Sequence, residues 1–365
     1  MENIDAIINK RVMPAALESW CGKAMEKSGL QANDAARAAS VFTSADTWGI
    51  HSHGTRQIRG LMLNVKDGRI DPAAKPETTV DWSATAIIDG HDAMPTSCAI
   101  EGMELAMAKA AAGGIGYVGV KNSSHIGALS YYSLMAAKRG MIGVAMTNTD
   151  PWMTVPGGKG PIMGTNPISY GIPTGTDKPI FLDIATSSVA VTKILALKAM
   201  GKMLPDKWLV DEHGVPTDDP KDYPEKGALL PMAGHKGYGI ALLVETLSSV
   251  ITGAAMLSGV NCWLNDTPKP ANEGHAFIAI DIAKLMPKGL FFKRLAEMTD
   301  EIKRAPKADG MEKIFMPGEI EHGRREKAER EGLTLPDYVL VNLESLAKDI
   351  GDVAAFHSMF FSIAG

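Results

Sequence analysis

The sequence predicts an α/β protein in which a helical layer precedes a sheet. Residues 7–47 place apolar side chains at helical spacing, and this pattern extends through roughly the first 75 residues. Farther along, apolar runs at 117–120 and 141–146 predict two buried strands, which a helix at 128–138 joins. This order of elements predicts a parallel βαβ unit, whose ligands bind at the carboxyl ends of its strands.

The other elements follow from turn signals and periodicity, taken in chain order. Gly29 ends the first helix, and Asp89-Gly90 forms a turn after a strand-like run at 85–88. Residues 203–232 are rich in Pro, Asp and Gly and predict a long loop. The remaining predicted elements are helices at 98–111, 186–200 and 240–252, strands at 168–172, 179–184 and 275–282, and a mostly helical tail from Met286.

The composition is typical of a globular enzyme and argues against several other classes. Of the 365 residues 45% are hydrophobic and 22% are charged, and the net charge of −5 leaves no basic footprint for nucleic acid. The three cysteines are far apart and the N-terminus carries no secretion signal, so a cytoplasmic protein is expected. Glu245 interrupts the apolar stretch at 239–260, which favours a core helix over a membrane span.

The usual nucleotide-binding motifs do not occur in this sequence. GxGxxG is not found in a strand–turn–helix setting, and GxxxxGK[ST] is not found at all. Lys236, within the glycine-rich segment at 234–239, stands at the start of a predicted helix, where free N–H groups and the helix dipole favour an anion. The same glycines would equally permit tight packing without a ligand.

Histidines near predicted strand and helix ends are the candidates for proton transfer. His125 lies in a polar loop after one strand, and Asp150, held extended by the following proline, comes after the next. Both are therefore expected to face one crevice. His53 has small neighbours that let a ligand approach, whereas a capping role suits His51. An alternative is a metal-dependent hydrolase, with the ligands His51, His53, His125 and Asp150. That alternative would leave Lys236 unexplained.

Several short motifs together are similar to those of one family. The chain resembles the malate/L-lactate dehydrogenase family, which is unrelated to the Rossmann-type enzymes and includes ureidoglycolate dehydrogenases. The resemblance covers most of the chain, and the motifs are specific only as an ordered set. They are Gly49-Ile50-His51-Ser52-His53-Gly54, Ser124-His125-Ile126-Gly127, Thr149-Asp150-Pro151, Gly164-Thr165-Asn166-Pro167, Asp183-Ile184-Ala185-Thr186, Leu229-Leu230-Pro231 and Lys236-Gly237-Tyr238-Gly239.

The resemblance implies an NAD(P)-dependent oxidoreductase that interconverts a 2-hydroxy acid and a 2-oxo acid by hydride transfer. NAD is the expected cofactor and NADP is possible. The implied fold is a non-Rossmann cofactor-binding α/β domain at 76–330 and a helical substrate and dimerisation domain formed by 1–75 plus about 331–365. The implied assembly is a homodimer that binds a small acid, without nucleic acid or membrane partners.

The resemblance also implies roles for individual residues. Either His53 or His125 is the proton-transferring histidine, because members of the family have been assigned one or the other. Asp150 is expected to fix the tautomer of His125, and no metal is expected. The positions that match cofactor contacts are Thr149, Asp183, Ile184, Ala185 and Lys236, with Thr165, Asn166 and Pro167 close by.

One position departs from the family pattern. The family usually has an arginine three residues after the glycine of Ser-His-Gly, where this chain has Gln57. Arg56 therefore becomes the candidate that holds the substrate carboxylate, together with Ser52. Malate is the default substrate and ureidoglycolate the second choice. A catalytically inactive binding protein is a further alternative that the altered arginine leaves open.

Overall fold

The computed structural model describes residues 4, 7–264 and 269–362, and this part of the chain contains eleven α-helices. The helices are α1 Pro14–Lys27, α2 Ala32–Thr47, α3 Ile58–Lys66, α4 Pro95–Gly113, α5 Ser130–Lys138, α6 Val191–Ala199, α7 His235–Glu245, α8 Lys288–Arg304, α9 Glu319–Glu331, α10 Asp337–Asp349 and α11 Val353–Ser358. Proline opens α1 and α4, where a missing N–H costs nothing, and Gly29 and Gly114 follow α1 and α4 with positive φ.

The strands build one large sheet and two small ones. They are β1 Arg11–Val12, β2 Glu77–Asp81, β3 Thr85–Asp89, β4 Ile115–Ser123, β5 Met141–Thr147, β6 Ile168–Ile172, β7 Ile180–Ile184, β8 Leu209–Val210, β9 Pro216–Thr217, β10 Ala228–Leu229, β11 Glu273–Asp281 and β12 Phe360–Phe361. In the described residues the large sheet has seven strands in the order β2-β3-β4-β11-β5-β6-β7. The α/β class predicted from the sequence is confirmed.

The predicted parallel βαβ unit between β4 and β5 is wrong. Strand β11 lies between them and pairs antiparallel with both. The parallel pair is instead β3 and β4, which α4 connects. Local periodicity does not reveal a partner strand that arrives more than 120 residues later in the chain. The two strands nevertheless run in the same direction, so their carboxyl ends still lie at one edge of the sheet.

The two chain ends share one hydrophobic core. Side chains from 7–70 pack with side chains from 328–360, and β1 pairs with β12. A second core lies between the sheet and the helices α4 and α5. Together these cores place the loops that follow α2 against the carboxyl ends of β4 and β5.

Helix α7 differs from the buried helix that the sequence predicts. It continues into a π-helical turn at Thr246–Val250, and Leu242, Leu243 and Ile251 are each about half exposed. Val244 and Glu245 on the opposite side are buried. One face of this apolar stretch thus packs against the sheet, and its opposite face is exposed. No helix in the described part of the chain combines the length and apolarity that crossing a bilayer demands.

Candidate active site

The structure brings His53 and His125 together from distant parts of the chain. His53 ends a short 3₁₀ helix, His51–His53, that follows α2, and His125 lies two residues beyond β4. Their rings are stacked, with centroids 5.6 Å apart and planes 20° from parallel. The ring of Trp263 packs against the ring of His125, and their centroids are 4.5 Å apart. Two imidazoles from distant parts of the chain therefore lie side by side beyond the carboxyl end of β4.

A backbone hydrogen bond fixes the tautomer of His125. The N–H of Gly127 donates to Nδ1 of His125 at 3.1 Å, so the neutral ring carries its proton on Nε2. Gly127 has a φ of +75°, and a Cβ there would lie 3.0 Å from Val41. Burial, with His53 and His275 nearby, lowers the pKa of His125 well below its usual range. This imidazole is therefore a neutral Nε2–H donor.

His53 has a different environment. Its Nδ1 lies 2.9 Å from Oγ of Ser52, a hydroxyl that either donates or accepts. The residue is exposed to water, and one face of its ring stacks on His125. Desolvation, aided by the charge of Arg56, lowers the pKa of His53 to about 4. Unlike His125, this ring is free to adopt either tautomer.

Buried polar contacts hold the turn that carries His53. Oδ2 of Asp46 accepts hydrogen bonds from N and Oγ1 of Thr55 at 2.9 and 2.6 Å. Nε2 of Gln57 donates to the carbonyl oxygen of Ser52 at 2.6 Å. Gln57 is buried, so the side chain at the position of the family arginine supports the backbone of the turn.

Arg56 points into the site from the same turn. Its guanidinium lies over the ring of Tyr338, 5.4 Å from the centroid. Its Nε is buried without a hydrogen-bond partner among the described residues. A buried guanidinium nitrogen without an acceptor is costly unless a ligand completes it, and a carboxylate suits that purpose.

Asp150 does not have the position expected of it. Its Oδ2 accepts a hydrogen bond from Nε1 of Trp152 at 2.9 Å, and Cys262 also bonds to its carboxylate. Burial raises the pKa of Asp150. Since Gly127 occupies Nδ1 of His125, the expectation that Asp150 fixes that tautomer is wrong. Asp150 instead anchors the segment that places Trp263 against His125.

The expected cofactor residues Thr149, Thr165, Asn166 and Pro167 form one layer between β5 and β6. Oδ1 of Asn166 accepts from N of Thr149 at 3.2 Å, and Oγ1 of Thr149 accepts from N of Thr165 at 3.0 Å. The carbonyl oxygen of Pro167 accepts from the backbone N–H of Thr147, at 3.4 Å. The two strand ends are therefore locked together beside the histidine pair.

The carboxylate of Glu245 accepts hydrogen bonds from this layer, and the sequence analysis did not assign this residue a role in the site. It is 3% exposed, and its Oε2 accepts from Nδ2 of Asn166 at 2.7 Å. Oε1 accepts from Nδ2 of Asn148 at 3.4 Å and from N of Leu257 at 3.0 Å. The available signal was that Glu245 is the one acidic residue in the apolar stretch at 239–260. A carboxylate in such a helix requires internal donors.

His275 is a second residue that sequence reasoning missed. It is fully buried on β11, with Nδ1 2.7 Å from Oγ1 of Thr147 and Nε2 2.9 Å from Oγ of Ser123. Burial lowers the pKa of His275 to about 3, so the ring is neutral. It ties the ends of β4 and β5 to the strand between them. The missing signal was β11 itself, whose place in the sheet was not predicted.

The segment Asp183, Ile184 and Ala185 lies at the end of β7, on the other side of the site. Oδ2 of Asp183 accepts from the N–H of Ser130 at 2.7 Å, and burial raises the pKa of Asp183. Because Ser130 begins α5, this bond connects the segment to the loop of His125. Ser187 bridges to Pro231, which brings the start of α7 nearby. Lys236 is exposed in the first turn of that helix.

The donors present fit a nicotinamide cofactor, whereas the described part of the chain holds no ligand set for a metal centre. Oγ of Ser124 is buried without a partner among the described residues, and Lys236 presents an exposed ammonium at a helix start. Within 7–264 and 269–362, no three His, Cys, Asp or Glu side chains converge as a metal site would require. The alternative of a metal-dependent hydrolase therefore has no ligand set there.

Comparisons with known proteins agree with this geometry. The family model described as malate/L-lactate dehydrogenase matches residues 12–344. The chain belongs to this family. It is a dehydrogenase of 2-hydroxy acids, an oxidoreductase of the malate dehydrogenase type, and its reaction requires a nicotinamide cofactor.

Three relatives from this family extend over most of the chain. Malate dehydrogenase from Pyrococcus horikoshii is 34% identical over 93% of this chain and 96% of its own. A solved structure of that enzyme superimposes with a TM-score of 0.85 at 33% identity, covering 94% of this chain and 96% of the other. L-sulfolactate dehydrogenase from Methanocaldococcus jannaschii is 36% identical, covering 90% and 93%. Ureidoglycolate dehydrogenase (NAD(+)) from Escherichia coli is 32% identical, covering 85% and 88%.

Proposed function

We propose that this family member interconverts malate and oxaloacetate with NAD. The observation that carries the proposal is the stacked pair His53 and His125 beside the unpartnered Nε of Arg56. A 2-oxo acid presents a carbonyl oxygen that needs a proton and a carboxylate that needs a cation, and this site offers both. The similarity to malate dehydrogenase from P. horikoshii supports the choice of malate.

His125 donates a hydrogen bond to the reacting oxygen, and His53 carries the proton. The Nε2–H of His125 is a fixed donor because Gly127 occupies Nδ1. His53 accepts the proton of the hydroxyl group during oxidation, when Oγ of Ser52 accepts from Nδ1 and leaves Nε2 free. The bound nicotinamide supplies or accepts the hydride. Since the two rings are 5.6 Å apart, protonation of one disfavours protonation of the other.

Arg56 binds the substrate carboxylate, with Ser52 close to the same end of the substrate. Tyr338 holds the guanidinium of Arg56 from one side, which leaves its edge for a bidentate contact. Gln57 is committed to the carbonyl oxygen of Ser52 and takes no part in this contact. The carboxylate contact has thus moved by one residue relative to the usual pattern of the family.

The cofactor residues are Thr149, Thr165, Asn166 and Pro167 on one side, with Asp183, Ile184, Ala185 and Lys236 on the other. We favour NAD over NADP because the E. coli relative is named for NAD(+). Thr149 and Asn166 supply polar edges, while Lys236 supplies a cation for a phosphate.

The functional unit is a homodimer in which 1–75 plus about 331–365 form the substrate and dimerisation domain and 76–330 the cofactor domain. The shared core of the two chain ends supports this division. The exposed apolar side chains Leu242, Leu243 and Ile251 support burial of the outer face of α7 against a second copy. Leu243→Glu should convert the dimer to a monomer in analytical ultracentrifugation. Leu285→Glu, at a residue that is 73% exposed on another element, should not.

The test of the function is oxidation of NADH and NADPH across a panel of 2-oxo acids. The panel contains oxaloacetate, pyruvate, 2-oxoglutarate and sulfopyruvate, with malate and ureidoglycolate assayed in the oxidative direction. Oxaloacetate with NADH should give the highest kcat/KM. A higher kcat/KM for sulfopyruvate or ureidoglycolate would identify that acid as the substrate in place of malate. A higher kcat/KM with NADPH would identify NADP as the cofactor in place of NAD. Failure on every acid by folded protein would contradict the proposal altogether.

A further inference from the structure

A cavity of about 440 Å³ lies behind the turn of the histidine pair. Its walls come from β1, from the end of α2 and from α9, and His51 borders it. Neither His53 nor His125 contributes to these walls. The volume is within the range of sites for small molecules. The catalytic roles derived above make no use of this space.

The walls of this cavity are strongly positive. Arg11, Arg324 and Lys327 line it, and Asp46 is the only carboxylate among the lining residues in the described part of the chain. Glu331, next to the cavity, forms a salt bridge with Arg11. The oxygens of Asp46 are engaged by His51 and Thr55.

Two of the three cations lack an acidic partner among the described residues. Within them, Arg324 donates only to the carbonyl oxygen of Trp48, at 3.4 Å. Lys327 forms neither a hydrogen bond nor a salt bridge within the described residues, although it lies in the field of Glu331. Arg11 does pair with Glu331, yet its Nε is buried without a hydrogen-bond partner in the described chain. Cations converging on a cavity without counter-charges repel one another unless an anion joins them.

We propose that this cavity is a binding site for a small organic anion that carries about two negative charges, such as a dicarboxylate or a phosphate ester. Arg324 and Lys327, which have no acidic partner among the described residues, set the charge of the ligand, and the volume exceeds that of a single inorganic ion. Gly49, with a φ of +78°, leaves room for the side chain of Arg324 at the cavity wall, since a Cβ there would lie 3.0 Å from its Cδ.

Occupation of the cavity would act on the active site through Asp46. Oδ1 of Asp46 lies 2.8 Å from Nδ1 of His51, which borders the cavity. Oδ2 holds Thr55, the residue next to Arg56. A ligand that forms a hydrogen bond with His51 would therefore change the bonding of the Asp46 carboxylate, which fixes the turn of Arg56. Asp46 thus connects the cavity to the turn of Arg56 by hydrogen bonds at both of its oxygens.

Isothermal titration calorimetry at constant ionic strength tests the proposal, with succinate and inorganic phosphate as probes at pH 8. Lys327→Gln removes one free cation without removing a bond in the protein. Arg324→Gln removes the other. Each variant should weaken binding of the preferred probe about tenfold, in line with the loss of one charged contact. Arg325→Gln is the matched control, because Arg325 is paired with Glu329 at 2.7 Å outside the cavity, and it should change the Kd less than twofold.

The outcomes separate this site from the catalytic one. Succinate binding that is lost in Lys327→Gln and retained in Arg325→Gln supports the cavity and identifies a dicarboxylate, and the same result with phosphate identifies a phosphate ligand. Binding that persists unchanged in both Lys327→Gln and Arg324→Gln overturns the proposal, since the probe then occupies another site. The absence of saturable binding of either probe also overturns it. None of these measurements depends on turnover.

Discussion

The candidate active site has two halves that are built in opposite ways. The histidine half consists of Ser52, His53, Arg56 and His125, and the amide half of Asn148, Asn166 and Glu245. In the histidine half each imidazole has one hydrogen-bond partner and Arg56 keeps a buried nitrogen without one. In the amide half, every side chain bonds to another member or to the backbone and all are buried.

This difference separates the groups that react or bind substrate from the groups that only position the backbone. A group that must exchange a proton or receive a substrate cannot have all its bonds already made within the protein. A group that only positions backbone benefits from having them all made, because a buried unsatisfied donor or acceptor costs about 1–3 kcal/mol. Substitutions in the histidine half should therefore change rate with little effect on stability. Those in the amide half should change stability first.

The largest expected effect is that of His53→Asn. Asparagine preserves a polar side chain but cannot carry the proton, so kcat should fall by about 10²–10⁴-fold. The melting temperature should change by less than 2 °C, since His53 is an exposed residue whose one side-chain hydrogen bond among the described residues is to Ser52. Steady-state kinetics and thermal unfolding on the same sample measure both. If kcat fell more in His125→Asn than in His53→Asn, His125 would be the residue that transfers the proton.

Glu245→Ala should have the next largest effect, and it should act on stability. Removal of the carboxylate leaves the N–H of Leu257 without its acceptor and takes one of two acceptors from the amide groups of Asn148 and Asn166, which should cost about 1–3 kcal/mol in the free energy of unfolding. The Kd for NADH should rise, because Thr149 loses the support of Asn166. Glu297→Ala, at an exposed carboxylate on α8, is the control and should cost less than about 0.5 kcal/mol.

Glu245 also marks the limit of prediction from the sequence. His53 and His125 were predicted to serve the site because reactive side chains after strand and helix ends are visible in local patterns. The sequence analysis expected His125 and Asp150 to share a crevice after β4 and β5, and these strands do run in the same direction. The stacking of His53 on His125 was not predicted. The partners of Glu245 come from three separate segments, and those of His275 depend on β11. Contacts of this kind require the tertiary fold, which local periodicity does not contain.

Arg56→Gln should raise the KM for the 2-oxo acid by about 10–100-fold, with a smaller change in kcat. The expected loss is that of a charge-assisted contact to the substrate carboxylate. Arg59→Gln is the control, because Arg59 is paired with Asp349 at 2.7 Å on the exposed side of α3. An unchanged KM in Arg56→Gln would mean that another cation holds the carboxylate.

The pH dependence of the same variant distinguishes an electrostatic contact from a structural one. Oxidation of the hydroxy acid requires neutral His53, whose pKa is lowered to about 4 by desolvation and then by Arg56. In the wild type, kcat/KM for oxidation should therefore be constant above about pH 5 and fall as the pH decreases through 4. Loss of the positive charge in Arg56→Gln raises the pKa of His53, so the fall should begin at a higher pH. An unmoved acid limb would place Arg56 too far from His53 for the proposed arrangement.

Ser52→Ala should produce the smallest effect and the sharpest distinction between the halves. It removes the hydroxyl 2.9 Å from Nδ1 of His53, an exposed contact that, when Oγ accepts, stabilises the proposed reactive tautomer but contributes little to folding. Loss of one such hydrogen bond, about 0.5–1.5 kcal/mol, corresponds to a decrease in kcat of about 2- to 10-fold. Ser52→Thr keeps the hydroxyl and should restore most of the rate, whereas the melting temperature should stay the same in both variants. A drop in melting temperature without a change in kcat would assign Ser52 to the support of the turn, alongside Gln57, and would remove it from the histidine half.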